Sequence, residues 1–228
     1  MNVRLVLVPA IVVILAIAIW KLSPATPDQV PTGTPAATWR VGLGTEIRQG
    51  RNYDELAAES PVRLSFACDE RRYVYVFSHS AEDGTLLLFP SPALKGGLDN
   101  PLPAGNSVLP GTASEKEIAW TTRSGIRSVT TFVAIAARER IDELEALIGQ
   151  VRLWSNSIFT DGRMEVTKPK EGVPVVGAPN EKGFPSPLLQ RAAERAITES
   201  MPNGPMQPDA TLPGVWVASW KVHEKKKE

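Results

Sequence analysis

The apolar positions of this chain recur with two different periods, and each period predicts a different element. From Val62 to Asp69 they alternate: Val62, Leu64, Phe66 and Cys68 against Arg63, Ser65, Ala67 and Asp69, the pattern of a strand. The next run carries Tyr73, Tyr75 and Phe77 on one face and Val74 and Val76 on the other. A strand apolar on both faces is expected to be central and covered on both sides. An Asp83-Gly84 turn signal leads into a third run over 85–89. Residues 61–90 therefore predict a meander of three consecutive antiparallel strands. With the turn at 69–72, Cys68 faces Tyr73, Phe66 faces Tyr75, Leu64 faces Phe77 and Val62 faces His79, the register that brings the apolar faces together.

Residues 39–45 predict a short strand, and 53–58 a helical turn. Residues 118–122 and 127–137 predict another hairpin around Ser124-Gly125, its second strand again apolar on both faces. The period then changes. Ile141, Leu144, Leu147, Ile148 and Val151 form one helical stripe, with Glu143 and Glu145 outside it. A short strand is expected over 153–159 and a loop over 160–185. Ser186 followed by Pro187 is an N-cap and first-turn pair, opening a helix over 187–201 that stops before Pro202-Asn203-Gly204. Residues 215–222 can add a last strand. No internal repeat is present. The expected class is mainly β (α+β): an antiparallel β-sandwich-like domain with two flanking helices, preceded by one transmembrane helix.

That transmembrane helix rests on residues 5–20, sixteen residues without a charge. They span about 24 Å as a helix against ~30 Å of hydrocarbon; residues 3–22 close the gap, because Arg4 and Lys21 can snorkel and Trp20 suits the interface. Ser23 and Ala25 leave a cleaved signal peptide as the alternative, which would make the protein secreted or periplasmic. Arg4 before the segment favours an inside N-terminus and an exported remainder. The organisation expected is an anchor over 1–22, a Pro-rich linker over 23–37 with prolines at 24, 27, 31 and 35, a β-rich domain over 38–151, a C-terminal extension over 152–222 and a charged tail over 223–228.

Composition narrows function mainly by exclusion. Twenty-five basic and 25 acidic residues balance, so no global field points to nucleic acid. One cysteine excludes an intramolecular disulfide framework and a Cys-rich zinc site. Cys68 and His79 lie at opposite ends of the expected hairpin, on the order of 20 Å apart at the rise of a strand, too far for a nucleophile and its base. His79 and His223 lack any companion at ligand spacing, so no metal is expected. Asp69-Glu70 and Glu82-Asp83 are acidic pairs on turns, and Gly42-Leu43-Gly44 lacks the third glycine of a dinucleotide fingerprint. Phe66, Tyr73, Tyr75, Phe77 and Phe89 can be read as a stacking platform, but their phase with the aliphatics reads as core. No catalytic residue and no cofactor are assigned.

Taken in order, VRLSF at 62–66, YVYVF at 73–77, DGTLLLFP at 83–90, NPLPAG at 100–105, VLPG at 108–111 and RSVTTFVAIA at 127–136 resemble a bacterial family, the domain of unknown function 4384. The resemblance covers residues 50–147. It implies a β-rich module of the kind joined to signalling modules, protease-like modules or membrane anchors, and it implies no activity.

The functional expectation is thus a membrane-anchored, extracytoplasmic binding module without catalysis, held by its N-terminal helix and meeting a protein partner in the envelope. The alternatives are an envelope-polymer hydrolase using exposed carboxylates and a structural spacer. The expected recognition surface is the Pro- and Gly-rich segment 91–116, within which Asn100, Pro101, Leu102, Pro103, Gly105, Asn106 and Pro110 are the candidate residues, since loops on a rigid sheet carry function.

Overall fold

The computed structural model describes residues 33–57, 59–91, 98–113, 116–122, 129–150, 159–160, 163–164, 183–198 and 203–225. The expected anchor, the linker up to residue 32, nearly all of the strand expected over 153–159, most of the 160–185 loop and residues 226–228 lie outside the described residues. No helix among the described residues is long and apolar enough to cross a membrane.

Strand β1 (Ala36–Val41) runs into Gly42, where a Cβ would lie 2.3 Å from the Glu46 carbonyl oxygen at a φ of +104°. Only glycine fits that bend. The chain then doubles back as β2 (Arg48–Gln49) onto β1, pairing Arg40 with Gln49 and Val41 with Arg48. β3 (Asp54–Leu56) replaces the helical turn expected there and runs parallel to the last strand. β4 (Pro61–Cys68), β5 (Tyr73–Ser80) and β6 (Gly84–Phe89) are the three expected strands.

They do not form one meander. β5 and β6 pair as a hairpin, but β4 belongs to another sheet, where it pairs with β1 over Val62–Ala67. The expected pairing of Cys68 with Tyr73 is therefore wrong. Arg72 explains why: its backbone exchanges both hydrogen bonds with Leu102 (3.1 and 2.8 Å), so residues 69–72 carry the chain across from one sheet to the other.

The segment expected to be irregular contains β7 (Gly105–Leu109), which pairs with β4 from Cys68–Gly105 to Leu64–Leu109. The small hairpin of β8 (Thr112–Ala113) and β9 (Lys116–Glu117) follows. β10 (Ala119–Thr121) and β11 (Val129–Ala137) were the other expected hairpin, yet they too lie on different sheets. α1 (Asp142–Gln150) is followed by the two-residue strands β12 (Phe159–Thr160) and β13 (Arg163–Met164), then α2 (Pro187–Thr198), β14 (Gly204–Pro205), β15 (Gln207–Pro208) and β16 (Val215–Glu224).

One sheet runs β12-β13-β10-β4-β1-β14, with β7 also on β4 and β2 also on β1; the other runs β15-β16-β11-β5-β6, with β3 also on β16. Pairing is antiparallel except for β10–β13 and β3–β16. The described residues thus form a mainly β domain with mixed sheets and two α-helices. β16 pairs with β11 through nine residues, Val129–His223 to Ala137–Val215, which places the last strand inside the sheet built by β5 and β11.

The two faces of β5 and β11 explain the layers. Val74, Val76, Phe132, Ala134 and Ala136 face the first sheet, joining Trp39, Val62, Leu64, Phe66, Trp120 and Trp220 in one core. Tyr75, Phe77, Val133 and Ile135 face the other way and meet Leu144 of α1 and Leu188, Leu189 and Ala192 of α2. Both faces are buried, as the two-sided apolar pattern requires. A bulge opposite Val76/Phe77 shifts the register of β6, so Leu88 and Phe89 both join the inter-sheet core.

Polar groups fasten the helices. Ser186 caps α2 by accepting the Leu189 N–H (3.3 Å) and donates its own hydroxyl to Glu143 of α1. The Tyr75 hydroxyl donates to Glu145 (2.6 Å) and accepts the Ile141 N–H (3.4 Å). Burial, and then that bond to Glu145, push the Tyr75 hydroxyl pKa upward. Glu143 and Glu145, expected on the outside of the helix, are therefore its fastenings. After β15, Asp209 Oδ1 collects the Thr211 hydroxyl (2.7 Å) and the backbone N–H groups of Thr211 (2.9 Å) and Leu212 (3.0 Å), with Arg191 of α2 at 3.4 Å.

Burial alone would raise the Asp209 pKa, but the bonds from Thr211, Leu212 and Arg191 outweigh it and hold the carboxyl below its ordinary range. Replacing it by Asn should cost about 1.5–3 kcal/mol at neutral pH, the worth of hydrogen bonds to a charged group. A depressed carboxyl stabilises fully above its unfolded pKa near ~3.9, and that contribution is lost as pH falls through the folded value. The difference in melting temperature between wild type and Asp209→Asn should hold from neutral down to about pH 5 and shrink in stronger acid. A difference unchanged in acid would exclude the carboxylate as its source.

Candidate functional site

The candidate residues of the segment after β6 divide into anchors and surface. Asn100 is an anchor: its side-chain oxygen accepts the Val74 N–H of β5 (2.9 Å). Leu102 is fully buried and joined to Arg72 by its backbone. Pro110 is buried and Pro101 half-buried. Pro103, Gly105 and Asn106 are exposed. Gly105 opens β7 at a φ of +105°, and Val108 and Leu98 are 39% and 38% exposed. Along β7, Ser107 and Leu109 turn inward while Asn106 and Val108 turn out, the period-2 signature of a strand.

β7 pairs with β4 along one edge, and among the described residues no strand pairs with its other edge. It bears no charged residue. An uncharged edge with open backbone groups is a template for a further strand.

Arg72 is the node behind this surface. Its guanidinium is buried, lies 4.7 Å from the Trp216 ring centroid, donates to the Gly33 carbonyl (2.9 Å) and pairs with Glu70. Arg138 reaches Glu70 at 3.2 Å and the same tryptophan at 5.8 Å. The hydrogen bond from Arg72 is the main reason the Glu70 carboxyl sits below its usual range. One buried cation thus ties the first described residues, the β4–β5 crossing, the candidate segment and the start of β16 together.

Cys68 and His79 lie on different sheets and keep different company. Cys68 pairs with Gly105, and its thiol lies 3.5 Å from the Pro103 carbonyl; burial pushes its pKa up, away from the reactive thiolate. His79 lies opposite Thr85 and Thr131, with Nδ1 3.0 Å from the Thr85 hydroxyl and its ring 5.2 Å from that of Phe184. The five aromatics are split as well: Phe66 and Phe89 enter the inter-sheet core, and Tyr73, Tyr75 and Phe77 the helix-side cluster. They form no platform. Among the described residues no three His, Cys, Asp or Glu side chains gather as a metal group.

Sequence reasoning missed β7 and the burial of Arg72. The first had little signal, since Asn106 and Ser107 are both polar and Val108 and Leu109 both apolar, so no alternation marks a strand among the prolines and glycines around it. The second had none, because an arginine in a charged turn looks the same whether buried or not. Comparison with protein-family models, curated proteins and solved structures gives no significant match.

Proposed function

We propose that this chain is a membrane-anchored extracytoplasmic module that works by binding a protein partner in the cell envelope, and that the outer edge of β7 is its recognition surface. The reading is carried by one observation: Gly105, Asn106 and Val108 are exposed on an uncharged strand, with Pro103 exposed just before it, while Asn100, Leu102 and Leu109 are locked into the sheets. A rigid edge of this kind binds by strand addition, with main-chain hydrogen bonds giving affinity and alternate side chains giving selectivity. The apolar run 5–20 and the Pro-rich linker support the anchored, exported placement, as does the resemblance of the ordered motifs to the domain of unknown function 4384 family. The sandwich-like antiparallel packing belongs to the same reading.

Removing the segment whole is no test, because β7 and Leu102 are part of the core. A photo-crosslinking residue at Val108, used in native membranes with mass-spectrometric identification, should instead capture one discrete protein. Asn106→Lys should abolish that product while leaving the melting temperature within about 0.5 kcal/mol of wild type, as for other surface changes. Capture of the same product by the Asn106→Lys chain, or no discrete product at all, would overturn the reading. Protection of the C-terminal domain from protease added outside intact spheroplasts would overturn its exported side.

A further inference from the structure

Among the described residues, the helices cover only part of the face they meet on the second sheet. The apolar cluster beneath them ends at Phe77 of β5, Val133 of β11 and Val217 of β16. Beyond it, alternation along each strand returns other residues to the same face: His79 on β5, Thr131 and Val129 on β11, and Ser219, Lys221 and His223 on β16. Register sets these side by side. Thr131 lies opposite both Lys221 and His79, and Val129 lies opposite His223. Residues opposed in this way stand about 4.5–5.5 Å apart at Cβ. The Tyr53 ring completes the group, 5.7 Å from the His223 ring.

Lys221 and Thr131 are the unusual members. Lys221 is half-buried and Thr131 is 9% exposed, yet among the described residues neither side chain has a hydrogen-bond or ion-pair partner. Both polar groups retain accessible surface, so a ligand can reach them. Taking an ammonium partly out of water without a counter-charge costs free energy. Burial pushes the Lys221 pKa down, and no carboxylate offsets it. The acids of β3, beside β16, are occupied: Asp54 meets Arg48 (2.6 Å) and Glu55 meets Lys225 (3.0 Å). One positive charge and one hydroxyl therefore stand together uncompensated. Next to them Val129 is 45% and Tyr53 47% exposed, an apolar border to the polar pair.

We propose that this end of the sheet binds a monocarboxylate with an apolar body, its carboxylate between Lys221 and Thr131 and its body over Val129 and Tyr53. A single cation matches a single negative charge, and the hydroxyl donates to a carboxylate oxygen. A dianion would leave half its charge unmet, and a neutral ligand would leave the Lys221 charge uncompensated. The site is on the second sheet, whereas β7 pairs into the first, so it stands or falls apart from the partner-binding edge.

Phenylacetate, 2-phenylethanol and phenyl phosphate carry one ring on three different heads. Titrated into the full-length chain in non-ionic detergent, phenylacetate should shift the backbone ¹H–¹⁵N resonances of Thr131, Lys221 and His223 saturably. 2-Phenylethanol should bind at least about tenfold more weakly, and phenyl phosphate no more tightly. Lys221→Met keeps the apolar stem and removes the charge, and should weaken phenylacetate binding about tenfold. Thr131→Val removes only the hydroxyl, should weaken it about fivefold, and serves if Lys221→Met does not fold. The proposal is overturned if phenylacetate produces no saturable shift at these residues, or if 2-phenylethanol binds as tightly or phenyl phosphate more tightly. It is equally overturned if either variant, folded, binds phenylacetate as well as wild type.

Discussion

Trp220→Ala should be among the most destabilising single changes in the chain, costing about 3–5 kcal/mol as a large-to-small core substitution. Trp220 is fully buried, and its ring centroid lies 5.5 Å from Trp39 of the facing sheet and 5.3 Å from Phe132 beside it. The trio therefore holds the two sheets together at their centre. Its indole N–H also donates to the Arg51 carbonyl (2.7 Å), an acceptor the variant leaves empty. Urea denaturation should show a lower midpoint with an unchanged slope, which separates lost stability from a changed unfolded state. A loss below about 1 kcal/mol, the range of ordinary surface changes and small trims, would mean that the sheets are held together elsewhere.

Gly50 sharpens that test. A Cβ there would stand 2.7 Å from Trp220 Cζ2, so Gly50→Ala forces the indole aside in the wild type but has space to enter once the indole is gone. The two changes should be strongly non-additive, the double variant being more stable than the sum of the single effects by about 1 kcal/mol or more. Additive losses would place Gly50's requirement in its backbone instead. Asn203 reinforces the same corner, accepting from the Trp39 N–H (2.7 Å) and donating to the Gly50 carbonyl (2.6 Å).

Period told more about burial than about neighbours. The two-sided apolar runs of β5 and β11 announced strands with a layer on each face, and the structure supplies a sheet on one side and helices on the other. Which strand pairs with which was not legible, because alternation on β4 is satisfied equally well by β5 across a tight turn or by β1 and β7 in another sheet. The decision was made by Arg72 and Leu102, whose backbone bridge draws the chain across the core. β3 and β7 were missed for a related reason. Short strands gain most of their stability from tertiary packing, so turn-forming residues around them hide them from any local pattern. Within the candidate segment Pro103, Gly105 and Asn106 are exposed, but Asn100 and Leu102 are structural, a role for the Asn100 side-chain amide that only the position of Val74 reveals.

Phe77→Ala is the second change expected to cost about 3–5 kcal/mol, and it separates the layers. Phe77 is fully buried on the face of β5 opposite the tryptophan trio, in the cluster that contains Leu188, Leu189 and Ala192 of α2. A cavity there removes packing from the helix layer, while the inter-sheet core keeps its contacts. Hydrogen exchange should then accelerate first in α2, which meets the sheet through Leu188, Leu189 and Ala192 of that same cluster. Trp220→Ala should instead loosen β1 and β4 of the first sheet before the helices. If both variants speed exchange in the same amides to the same extent, the two clusters act as one cooperative core, and the division of the domain into an inter-sheet layer and a helix layer has no energetic meaning.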